Sequence, residues 1–177
     1  MSFRKLSACA LAAALLIGSG LSSAFAHSVE AGSLSLTDLW TRATPPGAPT
    51  GAGYLTITNH GTEPDRLVSA STPSAEKGEI HEMTVKDGVM TMRPIDKGVE
   101  IPAGGSITLA PGGFHLMFTG LKESFADGGK LPVTLTFEKA GTVETFLHIM
   151  PIGSKGPGGA EGHDGHEGHM SHEEHTQ

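Results

Sequence analysis

The sequence predicts an all-β chain, a sandwich or barrel of eight or nine short strands with a histidine-rich tail. Three observations carry that expectation. Apolar residues alternate over short runs instead of recurring at helical spacing. Gly and Pro, 25 and 11 residues respectively, punctuate those runs at regular intervals. No amphipathic stretch lasts longer than two helical turns.

Taken in order, residues 27–32 are a short segment before the first strand. Leu34 to Trp40 reads as that strand, with Leu34 and Leu36 alternating and Leu39 and Trp40 following. Thr44-Pro45-Pro46-Gly47-Ala48-Pro49 is a loop, since Pro has no amide to give a central sheet. Tyr54 to Thr58 alternates cleanly, Asn59-His60-Gly61 turns, and Asp65 to Ser71 forms a strand that Pro73 ends. A hairpin over 79–85 and 89–95 comes next. Ile101 to Gly105 is a turn, Ser106 to Leu109 a short strand, and Pro111-Gly112-Gly113 a corner into a strand over 114–118. Leu121 to Asp127 is a loop with room for one helical turn. Leu131 to Glu138 and Val143 to Met150 are the last strands, joined near Ala140-Gly141. Roughly 120 residues of this kind suffice for one buried core.

The two ends differ from this body. Arg4 and Lys5, an apolar run from Leu11 to Ile17 and Ala24-Phe25-Ala26 have the anatomy of a cleavable secretory leader. Residues 1–26 are therefore expected to be a signal peptide, with His27 the first mature residue. Leu6-Ser7-Ala8-Cys9 resembles a lipoprotein cleavage box, but the apolar run follows Cys9 where it should precede it. Cys9 is the only cysteine. Its loss with the leader excludes a disulfide framework, a thiolate zinc site and a blue-copper centre from the mature chain. The formal net charge is −7 and becomes −7 − 2 = −9 without Arg4 and Lys5, which disfavours a nucleic-acid partner. No later stretch is long and apolar enough to span a bilayer. The expected location is the periplasm, with no membrane insertion of the mature chain. From Gly153 onward the composition turns to Gly, Lys and Pro, then to EGHDGHEGHMSHEEHTQ. Residues 27–152 are read as one domain and 153–177 as a disordered His-rich tail.

Candidate ligands converge on residues 81–117. Asp87-Gly88 is a two-residue turn whose central positions tolerate positive φ. Centring a hairpin there opposes Lys86 to Val89, Val85 to Met90, Thr84 to Thr91, Met83 to Met92 and His81 to Pro94. Directly opposed residues share a face. His81, Met83, Met90 and Met92 then project from one side. His115 and Met117, two residues apart, also share a face. Imidazole and thioether together suit a soft metal, copper(I) best of all, and neither carries charge when bound. His81, Met92, His115 and Met117 form the expected site. Met83 and Met90 remain rivals, as a hydrophobic wall or as reserve ligands.

Other histidines read differently. His60 is a surface turn residue. His148 and Met150 share a strand face and are read as structural, with a weak secondary site as the alternative. His27 would join a free amine to its imidazole, a pair able to chelate copper(II), although short termini usually fray. His163, His166, His169, His172 and His175 recur every third residue, with Met170 among them, and suit copper(II), zinc or nickel.

Residues 38–150 resemble the PCuAC family of periplasmic copper(I) chaperones. The most specific stretches are DLWTRATPPGAPTGAGYLTITN, EIHEMTVKDGVMTMRPI and IPAGGSITLAPGGFHLMF. The resemblance implies a cupredoxin-like Greek-key β-sandwich. It also implies copper(I) ligands from a His before the hairpin turn, a Met after it and a later His-x-Met, here His81, Met92, His115 and Met117. Delivery to the CuA centre of cytochrome c oxidase subunit II, alongside a Sco-type thiol protein, is implied as well. Some members carry a His/Met-rich extension that adds a copper(II) site. No Ser nucleophile elbow, paired catalytic carboxylates or phosphate loop is recognisable, so a carrier and not an enzyme is expected. A copper-sequestering protein without a dedicated acceptor is the alternative.

Overall fold

The computed structural model describes residues 27–157. The expected leader (1–26) and the tail histidines from His163 to His175 lie outside the described residues. The described chain is all-β, as expected, with eleven strands: β1 (Val29–Ala31), β2 (Leu34–Arg42), β3 (Thr50–Asn59), β4 (Asp65–Ser71), β5 (Ala75–Lys86), β6 (Val89–Pro94), β7 (Val99–Ile101), β8 (Ser106–Leu109), β9 (Phe114–Leu121), β10 (Lys130–Phe137) and β11 (Gly141–Met150). Eleven strands among the described residues are two or three more than the eight or nine expected. The additions, β1 and β7, have three residues each, too few for alternation to be read. The loop after Leu121 forms no helical turn.

The strands follow one hydrogen-bonded path, β6-β5-β9-β3-β2-β11-β10-β4-β7, with β1 on β2 and β8 on β3. All these pairings are antiparallel except β11 with β2. The path rolls over one apolar core that includes Leu36, Ile57, Leu67, Leu116, Phe118, Leu135 and Leu147. Gly78 of β5 sits so close to the Ala70 carbonyl of β4 that a Cβ there would collide with it. Two strands that share no ladder therefore meet backbone to backbone where the roll closes.

The irregularity in β2 has a local cause. Asp38 adopts φ 51°, and the pairing with β3 shifts between Thr37 and Trp40. Strict alternation from Leu34 and Leu36 would point Asp38 inward. The bulge instead buries Leu39 in the core and sets Trp40 opposite Tyr54. Beyond β11 the chain stays attached. Arg42 Nε donates to the Ser154 carbonyl at 2.7 Å, and Gly156 lies against the Trp40 ring. These contacts continue to residue 156.

Candidate metal centre

The β5–β6 hairpin has the register derived from its turn. Lys86 faces Val89, Val85 Met90, Thr84 Thr91, Met83 Met92 and His81 Pro94. Asp87 and Gly88 have φ of 53° and 76°, the two positive values that a tight hairpin twisted like its strands requires. On one face the Thr84 and Thr91 hydroxyls meet at 2.9 Å, and Arg93 pairs with Glu82 at 2.7 Å. Those cross-strand pairs hold the register. The other face carries His81, Met83 and Met92.

β9 lies along the opposite edge of β5, which places His115 directly across from His81 and Met117 across from Glu79. Ile80, Leu116 and Phe118 point into the core, so His81, His115 and Met117 project from the outer face of the sheet. The two imidazole rings are 5.8 Å apart, centre to centre. His115 is 4% exposed. Its Nδ1 donates to the Gly113 carbonyl at 3.0 Å, since a carbonyl only accepts. That carbonyl also accepts the Met83 amide at 3.1 Å, so one oxygen ties the ring to the hairpin. In the neutral ring the other nitrogen, Nε2, then carries a lone pair, and it lies 3.1 Å from Met92 Sδ.

His81 is the more unusual side chain. Both ring nitrogens are buried and neither has a hydrogen-bond partner. Glu79 Oε2 lies 3.5 Å from Nε2, an electrostatic contact outside hydrogen-bond geometry. The Glu79 carboxyl is held below its usual range, first by Lys77, which bonds it at 2.8 Å, and to a smaller degree by His81. A carboxylate beside an imidazole can orient the ring. Sequence reasoning passed over Glu79, although its spacing of two from His81 puts it on the same strand face.

The six sulfur and imidazole candidates separate in space. His81, His115 and Met92 come together. Met117 is half-buried on the same face, and Met83 is half-buried opposite Met92. Met90 lies two residues nearer the turn, opposite Val85 and 64% exposed. Among the described residues no three His, Cys, Asp or Glu side chains converge on a metal position. An ion held here needs thioether sulfur to complete its shell, and that need selects for soft metals.

Elsewhere, His60 is exposed in its turn, as expected. His27 packs against β11. Its ring stacks on Phe146 at 4.1 Å and meets the edge of His148 at 5.8 Å. The His148 pKa is lowered by burial first, then by His27 and Lys130. No helix among the described residues is long and apolar enough to cross a membrane.

Comparison with known proteins places the chain. A family model described as "LpqE-like: Putative lipoprotein LpqE-like" matches residues 34–149. A Leifsonia xyli subsp. xyli protein, "Putative lipoprotein Lxx21020", is 34% identical over 113 residues, 64% of this chain and 67% of that protein. The apo PCuAC domain from PmoF1 superposes with a TM-score of 0.60 at 30% identity, over 71% of this chain and 99% of that one. The copper(I) form of DR1885 from Deinococcus radiodurans gives 0.53 at 28% identity, over 72% and 83%. The copper-bound PCuAC domain from PmoF2, at 23% identity and TM-score 0.61 over 71% and 98%, bears on the fold alone.

Proposed function

The chain belongs to the LpqE-like family and has the cupredoxin-like fold of the PCuAC domains, and on that premise we propose that it is a periplasmic copper chaperone. It carries copper(I) between His81, Met92, His115 and Met117. The observation that carries this reading is His81, whose two ring nitrogens are buried and make no hydrogen bond, directly opposite His115. A buried polar atom without a partner costs stability, and a soft cation between these side chains would remove that cost.

Four neutral ligands suit transport. They bind a monovalent ion without a buried charge pair. Met92, 46% exposed, is the ligand an incoming acceptor displaces first. The acceptor is the CuA centre of cytochrome c oxidase subunit II, reached alongside a Sco-type thiol protein. The tail histidines His163, His166, His169, His172 and His175, with Met170, collect copper(II). The chain is a carrier and not an enzyme, with a leader ending at Ala26, a copper domain from 27 to 152 and the tail beyond.

Copper(I) competition against a chromophoric chelator tests the core. One tight equivalent is expected in the full chain, lost in a His81→Ala, His115→Ala double variant. Retention of that equivalent would sink the reading. Deleting residues 160–177 should lower copper(II) stoichiometry and spare the copper(I) equivalent. Unchanged stoichiometry removes the tail from the mechanism. The five regularly spaced tail histidines favour a second reading, sequestration without an acceptor. Oxidase assembly in a deletion strain at low copper separates the two, because only the chaperone reading predicts a deficit. The lipoprotein names of the family and of the Leifsonia relative make lipidation at Cys9 the rival for the N-terminus. The intact mass of the exported protein decides between that and cleavage after Ala26.

A further inference from the structure

A second cluster lies on the outer face of the same sheet, away from the hairpin. His148 of β11 is opposite Lys130 of β10 and beside Trp40 of β2. Trp40 faces Tyr54 of β3. One register step beyond the Gly53–Leu116 pair, Tyr54 comes level with His115 of β9. His115 and His148 therefore stand in one row across the sheet, three strand spacings apart, roughly 14 Å at about 4.8 Å each.

His27 is fixed at the far end of that row. Its ring lies flat on Phe146, 15° from parallel at 4.1 Å, and edge-on to His148. Its Nε2 contacts Thr145 Oγ1 at 3.2 Å. The hydroxyl can accept from Nε2–H, and in that tautomer the lone pair of the neutral ring is on Nδ1, the nitrogen nearer the residue's own backbone amine. The hydrogen bond made by one imidazole nitrogen sets which nitrogen is left for a metal. We propose that the freed α-amine and Nδ1 of His27, together with the imidazole of His148, form a second metal site that takes copper(II).

The donor set explains the choice of metal. Amine and Nδ1 of a first-residue histidine close one chelate ring, and His148 adds a third nitrogen. Three nitrogens and no sulfur suit copper(II) in a tetragonal arrangement, in contrast to the sulfur-dependent core. Phe146 fixes the His27 ring in advance, so less freedom is lost on binding. One feature opposes the metal. Lys130 holds its ammonium over the Phe146 ring at 4.1 Å, close enough to repel a dication, so Lys130→Gln should tighten binding. The site rests on the proposed cleavage after Ala26, because within a longer chain the His27 nitrogen is an amide.

The test uses the full mature chain, tail included, released with His27 as its first residue, so that the site is examined apart from the export question. Substoichiometric copper(II) is added and paramagnetic broadening is followed by NMR. Signals of Thr145, Phe146 and His148 should disappear selectively, and one tight copper(II) equivalent should be lost in His148→Ala. A chain with one extra Ser before His27 keeps every side chain and blocks only the amine chelate. It should lose the same equivalent and the same broadening. Broadening confined to the tail, or an extended chain that binds like the native one, overturns the proposal. An exported protein that does not begin at His27 ends the cleavage reading on which the site's biological use depends. The copper(I) titration of the core is unaffected by either result.

Discussion

Nε2 of His115 and Sδ of Met92 lie 3.1 Å apart. In the neutral ring, with Nδ1 donating to Gly113, they are two lone-pair atoms with no proton between them. Residues from non-adjacent strands β9 and β6 are brought to that distance across β5. Met92→Ala should therefore weaken copper(I) binding by at least about 10-fold, the lower end of what loss of a supporting group costs a metal site. Met90→Ala should stay within roughly twofold. Chelator competition on both variants measures this. Equal losses would mean that the exposed Met90 shares the ion.

The His81 ring, buried at both nitrogens without a hydrogen bond, trades stability for the proposed binding. An orphaned buried polar group costs about 1–3 kcal/mol. His81→Leu should raise the metal-free protein's stability by about 1 kcal/mol or more while abolishing copper(I) uptake. Urea unfolding of the apo form reads the first effect. A lower denaturation midpoint in the variant would show that the imidazole has partners in solution.

Asp65 predicts the acid limb of stability. Burial pushes its pKa up, but amides of Lys139, Arg66 and Ala140, donating at 2.9, 2.7 and 2.9 Å, outweigh this and leave it lowered. A carboxyl with a lowered folded pKa adds stability that is present above its unfolded pKa, roughly 3.9. That stability is lost as pH falls through the folded value. Asp65→Asn should cost about 1–3 kcal/mol near neutrality and less at pH 2–3. Denaturation midpoints of both proteins across pH 2–7 test it. A constant difference over that range would exclude the linkage.

Gly78 predicts the strength of the roll. A Cβ there would run into the Ala70 carbonyl, a backbone atom that moves only with its strand. Gly78→Ala should cost about 2 kcal/mol or more and should loosen the metal site, since β5 supplies His81. Thermal unfolding and copper(I) affinity should fall together. A variant as stable as the parent would show that β4 and β5 part freely.

Much of the site was legible because its rules are local. Two positive-φ residues at Asp87-Gly88 set every pair of the hairpin, and a period of two puts His81 with Met83 and His115 with Met117. The same rule would have reached Glu79. Phe125 was missed as a core residue because it lies in a loop, and it is nonetheless 2% exposed. Its backbone is tied to Thr44 of the proline loop by reciprocal hydrogen bonds, a contact that only the folded chain creates. The packing of His27 on Phe146 is of the same kind.

The sequence by itself determined the all-β class and the hairpin register, because turn geometry and side-chain alternation act over a few residues. The tertiary structure alone decided that β9 lies beside β5, so that His115 faces His81. It alone decided that β2 bulges at Asp38 and that the roll closes at Gly78. Pairing between strands distant in the chain is chosen by burial of one common core, and no short stretch of sequence contains that core.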